Sequence, residues 1–119
     1  MYPLEENPTL AQIIARSVIC HPTLLAETLE GQAAEDRRFA ATRPEISHKS
    51  ILSHALACAE AAKGVRGEWD TFDPASAVDW DLMPLGIRIV AANAAARLQC
   101  LPRHIVTQAA IREDERANV

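Results

Sequence analysis

The segment Met83–Cys100, MPLGIRIVAANAAARLQC, constrains the fold more than any other part of this chain. Placed on a helix, Leu85, Ile89, Ala92 and Ala96 fall on one side and Ile87, Ala91, Ala94 and Leu98 on the other. A helix that is apolar nearly all round has to be covered by neighbours on several sides. Its many alanines let the neighbouring backbones approach closely. The rest of the chain must therefore supply the covering helices. This predicts an all-α bundle of five to six helices, with the 83–100 helix near its centre.

The flanking sequence contains those helices. Asn7-Pro8-Thr9 opens the first, and Thr9 and Gln12 have the spacing of a capping box. Leu10, Ile13, Ile14, Ser17 and Val18 then recur at helical spacing up to about Cys20-His21. A second helix is expected from Pro22 to about Ala41, with Leu24, Leu25, Thr28 and Leu29 as its apolar stripe. Gly31 costs about 1 kcal/mol relative to alanine in a helix interior, which predicts a bend or break there. The residue before a proline resists the helical region, so a junction is expected at Arg43-Pro44, with a third helix running to about Lys63. Its apolar face should combine Ile51, Ala55, Ala59 and Ala62 with Leu52 and Leu56. Gly64 and Gly67 mark a stop. Asp73-Pro74 is expected to start a short helix over 74–80, and Pro102 a last one to about Arg116. No period-two strand pattern of useful length occurs.

At 119 residues the chain has the length of a single domain, 1–119. A net charge of −4 argues against nucleic-acid binding, which leaves a basic footprint. Of the 12 basic residues only Lys49 and Lys63 are lysines, a bias that a GC-rich bacterial genome would produce. The 3 cysteines are an odd number at wide spacing, which fits a reducing compartment better than a disulfide framework. The start, MYPLEENP, lacks the basic and apolar regions of a signal peptide. Arg88 and Asn93 interrupt the longest apolar run, so no membrane span is expected. A cytoplasmic location follows as an expectation.

Three groups of residues are candidates for function. The first is Gly64–Gly86, GVRGEWDTFDPASAVDWDLMPLG, which holds both tryptophans and one of the two phenylalanines. Glu68, Asp70, Asp73, Asp79 and Asp81 give it an acidic character with no base between Glu68 and Asp81. In one reading Trp69, Phe72 and Trp80 fold back to cap the bundle, while Asp73 and Asp81 form helix starts and turns. In the other, Trp69, Phe72, Trp80, Glu68 and Asp70 form a partner-binding surface, since tryptophan is enriched at binding hot spots. Its partner would offer a basic edge, and Arg37, Arg38, Arg43 and Lys49 of a second copy could provide one.

The second group is the cysteines and histidines, which pair as Cys20-His21, His54…Cys58 and Cys100…His104. His54 and Cys58 share a helical face at four apart, a common way to present two metal ligands. Pro102 separates Cys100 from His104, and none of the pairs is a CxxC. The third group is the carboxylates near 68–81, which could in principle do acid–base chemistry. No Ser-His-acid set, Walker loop, GxGxxG or HExxH is present.

These observations favour a small accessory or regulatory protein acting through protein contacts, as a homodimer, with no catalytic residue and no cofactor. A metal or small-ligand sensor using His54, Cys58, Cys100 and His104 is the first alternative. A small enzyme using carboxylates near 68–81 is the second.

Overall fold

The computed structural model describes residues 7–43 and 48–117. Six α-helices make up the described chain: α1 Leu10–Cys20, α2 Pro22–Thr42, α3 His48–Val65, α4 Ala77–Asp81, α5 Leu85–Leu98 and α6 Arg103–Ala117. Among the described residues there is no strand, and the fold is an all-α bundle. No helix there is long and apolar enough to cross a membrane. The expected helix restart at Pro44-Glu45 lies outside the described residues.

Helix α1 starts on the capping box that its sequence predicts. The Gln12 amide N–H donates to Thr9 Oγ1 at 3.1 Å, and the Thr9 amide N–H donates to Gln12 Oε1 at 2.9 Å. Leu10, Ala11, Ile13, Ile14, Ala15, Ser17 and Val18 are all buried, so α1 is enclosed on most of its circumference. It packs against α5, whose buried face is Ala91, Ala92, Ala94, Ala95 and Ala96. The larger residues of α5, among them Leu85, Ile87, Ile89, Val90 and Leu98, are half-buried and pack around that alanine face. The centre is thus shared by two helices.

Small residues bring the α1 and α5 backbones near enough for a polar seam. The fully buried Ser17 hydroxyl donates to the Ala95 carbonyl at 3.1 Å. Gln99 Nε2 donates to the Ile13 carbonyl at 2.8 Å and to Ser17 Oγ at 2.7 Å. A buried hydroxyl costs free energy unless it is satisfied, so these bonds fix the register of the two helices.

Helix α2 runs through Gly31 without the expected break. Gly31 is exposed, and the length of α3 packed alongside outweighs a propensity cost of about 1 kcal/mol. Arg66 grips Glu30 with both Nε and Nη2, at 2.9 and 2.7 Å, which ties the end of α3 to the middle of α2. That pair holds the Glu30 carboxyl below its ordinary range. Leu52 and Leu56 do not join the apolar face of α3. They are 46% and 60% exposed, because Ala55, Cys58, Ala61, Ala62 and Val65 are the residues turned inward.

Both α3 and α5 end on a left-handed residue with the same bond pattern. Gly67 has φ 71°, and the Glu68 N–H reaches back to the Lys63 carbonyl at 3.0 Å. Cys100 has φ 58°, and the Leu101 N–H reaches the Ala96 carbonyl at 2.9 Å. The short helix begins later than its sequence suggests, at Ala77, with Ser76 as its cap. Pro74 lies in the turn ahead of it, and its carbonyl accepts the Trp80 indole N–H at 2.8 Å. Asp73 instead closes a local turn by accepting the Ala75 N–H at 3.0 Å.

Candidate functional site

The acidic aromatic segment folds back on the bundle. Trp69, Phe72 and Trp80 meet edge to face, with ring centroids 4.8 Å (Trp69–Phe72), 5.8 Å (Trp69–Trp80) and 5.1 Å (Phe72–Trp80) apart. Trp80 is 0% exposed and so has no surface to offer a partner, while Trp69 and Phe72 are half-buried. Glu68 and Asp70 are exposed on the loop above them. Asp79 is committed locally, its carboxylate accepting the Asp73 N–H at 2.7 Å. Asp81 lies 3.7 Å from Arg88, which also reaches Glu113 at 3.2 Å. In this segment Asp73, Asp79 and Asp81 have structural partners, Glu68 and Asp70 are exposed, and the aromatic triad fills the end of the core.

A different region gathers more chemistry. A cleft of about 530 Å³ opens between the α2–α3 pair and α5–α6. Its polar lining includes Thr28, Gln32, His54, Asn93, Arg97 and Arg103, with Cys58 in its wall. His54 and Cys58 project together because they lie one turn apart on α3. Asp36 comes from α2, which is held against α3 by the packing and the Arg66–Glu30 pair described above. Asp36 Oδ2 lies 2.5 Å from His54 Nδ1, and Cys58 Sγ lies 3.8 Å from the same nitrogen. Gln32 Nε2 donates to the other carboxylate oxygen, Asp36 Oδ1, at 3.0 Å and orients it. The three donor atoms all lie within 4.8 Å of one another.

This arrangement decides against a cysteine–histidine–acid relay. In such a relay the thiol and the carboxylate address opposite ring nitrogens, so that a proton taken at one is balanced at the other. Here both face Nδ1. The thiol is also the reverse of activated: burial, and then the charge of Asp36, push its pKa up to about 11, opposed only in part by Arg97. Donors converging on one point can share a cation.

Of the expected metal candidates, His54 and Cys58 are thus brought together. Cys100 and His104 are exposed and lie outside that group. Cys20 is a free, exposed thiol at the end of α1. Asp36 and Arg103 are additions that the sequence did not single out. Asp36 carries no local signal, since it stands 18 residues from His54. Only the pairing of α2 with α3 makes them neighbours.

The arginines of the cleft have an uncommitted charge. The ion pairs among the described residues are Asp36–His54, Glu60–Lys63, Glu30–Arg66, Asp81–Arg88 and Glu113–Arg88, none of which involves Arg97 or Arg103. Comparison of the chain with protein-family models, curated proteins and solved structures finds no match.

Proposed function

We propose that this chain is a small ligand-binding regulatory protein that takes a small oxyanion, a phosphate or a carboxylate, in the cleft between α2–α3 and α5–α6. The observation that carries this reading is the pair of arginines, Arg97 and Arg103, lining one cleft without an acid partner among the described residues. A guanidinium presents a planar fork of donors that matches both carboxylate and phosphate oxygens. A volume of about 530 Å³ suits a small molecule, and Asn93, Thr28 and Thr107 add neutral polar groups to the lining.

Calorimetric titration with inorganic phosphate, and separately with succinate, tests the reading and tells the two oxyanion classes apart. Hydrogen bonds to charged groups are worth about 1.5–3 kcal/mol, so Arg97→Gln and Arg103→Gln should each weaken binding about tenfold or more. Arg37→Gln, exposed on α2 and outside the cleft lining, should leave it unchanged. Affinity that is absent for both probes, or indifferent to both cleft arginines, removes the reading.

A second reading rests on a separate observation. Leu52 and Leu56 stand one turn apart on α3 and are 46% and 60% exposed. Such a pair suits a protein contact, which in a homodimer would repeat on both copies. Light scattering at micromolar concentration checks this. A dimer that Leu56→Gln dissociates supports the reading, and a strict monomer excludes the homodimer.

A further inference from the structure

We propose that Asp36, His54 and Cys58 bind a thiophilic divalent cation, with zinc the best fit, leaving one coordination position open to the cleft.

The donor types select the metal. A carboxylate, an imidazole and a thiol together suit zinc or cobalt(II), whereas magnesium and calcium take oxygen donors. The distances fit a tetrahedral ion. Donors bound at about 2.0–2.3 Å from zinc lie roughly 3.5 Å apart. The observed 3.8 Å between Cys58 Sγ and His54 Nδ1 is already close to that spacing. Asp36 Oδ2, at 2.5 Å from Nδ1, has to move out by about 1 Å, which replaces their hydrogen bond by the cation.

The framework holds two of the donors in place before any ion arrives. His54 and Cys58 are fixed one turn apart on α3. Gln32 Nε2 holds Asp36 Oδ1, and this is how carboxylate ligands are commonly steered. A bound divalent cation takes up the thiolate, since a coordinated thiol gives up its proton. On binding, a metal–sulfur bond forms as the thiol proton passes to solvent. With the ring neutral, the His54 proton moves by exchange with water from Nδ1 to Nε2. One proton is released, and no oxidant or reductant is needed.

Three protein donors leave the fourth tetrahedral position to water or an incoming ligand. His54 and Cys58 both line the cleft while Asp36 lies outside its lining, which puts the open position on the cleft side. Metal binding does not require Arg97 or Arg103, and the two proposals can fail separately.

Cobalt(II) titration of the full chain, purified without a polyhistidine tag, tests the site. The expected result is a thiolate-to-cobalt absorption band in the near ultraviolet, with the visible bands of tetrahedral cobalt, displaced by zinc. Losing a ligand should cost more than losing a residue that only orients one, which typically costs 10–100-fold. Cys58→Ser should therefore abolish the thiolate band and weaken zinc binding about a hundredfold, and Gln32→Ala should weaken it about tenfold. Because Cys58 is buried, His54→Gln provides a ligand change at a partly exposed position. It should weaken zinc about a hundredfold while the helical circular dichroism stays unchanged. Cys20→Ser, Cys100→Ser and the Arg97→Gln/Arg103→Gln double variant should keep the band. No cobalt–thiolate band in the unaltered protein overturns the proposal, as does a band that survives Cys58→Ser or disappears with Cys100→Ser.

Discussion

Replacing Trp80 by alanine should remove about 3–5 kcal/mol of stability, a large part of the 5–15 kcal/mol that a domain of ordinary stability possesses. Trp80 is the largest fully buried side chain in the described structure. It sits edge-on to both Trp69 and Phe72, so its removal leaves two other rings without a packing face. Trp80 is the one ring that α4 carries, and it fills the space between α4, α1 and the loop rings Trp69 and Phe72, so its loss leaves a cavity bounded by several elements. The indole N–H also satisfies the Pro74 carbonyl, which shapes the turn leading into α4. Trp80→Phe separates these contributions: it keeps a ring face but leaves the carbonyl unpaired, and should cost less than Trp80→Ala. Urea denaturation followed by circular dichroism measures both. A loss below about 1 kcal/mol for Trp80→Ala would show that the aromatic triad does not support the core.

That prediction also separates what the sequence made legible from what it did not. An all-α bundle of five to six helices and the Thr9–Gln12 capping box follow from local spacing, and the inward fold of the aromatics was one of two readings that the scarcity of other large side chains allowed. The local rules failed where a distant partner decided the outcome. Gly31 was expected to interrupt α2, but the packed length of α3 holds the helix through it. Leu52 and Leu56 look like core on a helical wheel, yet the buried face of α3 is centred on Cys58 and Ala62. Pro74 resembles a first helical residue, but it lies in the turn ahead of α4, with its carbonyl accepting an indole N–H six positions on.

The cleft shows the same limit more sharply. His54 and Cys58 could be paired from their four-residue spacing alone. Their third partner could not, because Asp36 belongs to another helix and its distance depends on the register of α2 against α3. The same holds for Arg97 and Arg103, which reach the cleft from the end of α5 and the start of α6. A site assembled from four helices leaves only fragments in the linear sequence.

Gly64 gives the other large expected effect, and here the sequence misleads about sign. A glycine in a helix invites replacement, since alanine is favoured there by about 1 kcal/mol. In this fold a Cβ on Gly64 would stand 2.5 Å from Cζ3, 2.7 Å from Cη2 and 2.9 Å from Cε3 of Trp69. The ring cannot simply swing away, because it is packed against Phe72 and Trp80. Overpacking of this kind costs about 1–3 kcal/mol, and it exceeds the gain in helix propensity. Gly64→Ala should therefore destabilise by about 1 kcal/mol, and Gly64→Val, which adds bulk with less propensity gain, by about 2 kcal/mol. The decisive measurement is a double-mutant cycle. In a Trp69→Ala background the obstruction is gone, and the same Gly64→Ala change should stabilise by up to about 1 kcal/mol. Reversal of sign between the two backgrounds would identify ring contact as the cause. An equal effect in both would mean that Trp69 does not rest on Gly64 in solution, and that the loop carrying Glu68 and Asp70 is held by something else.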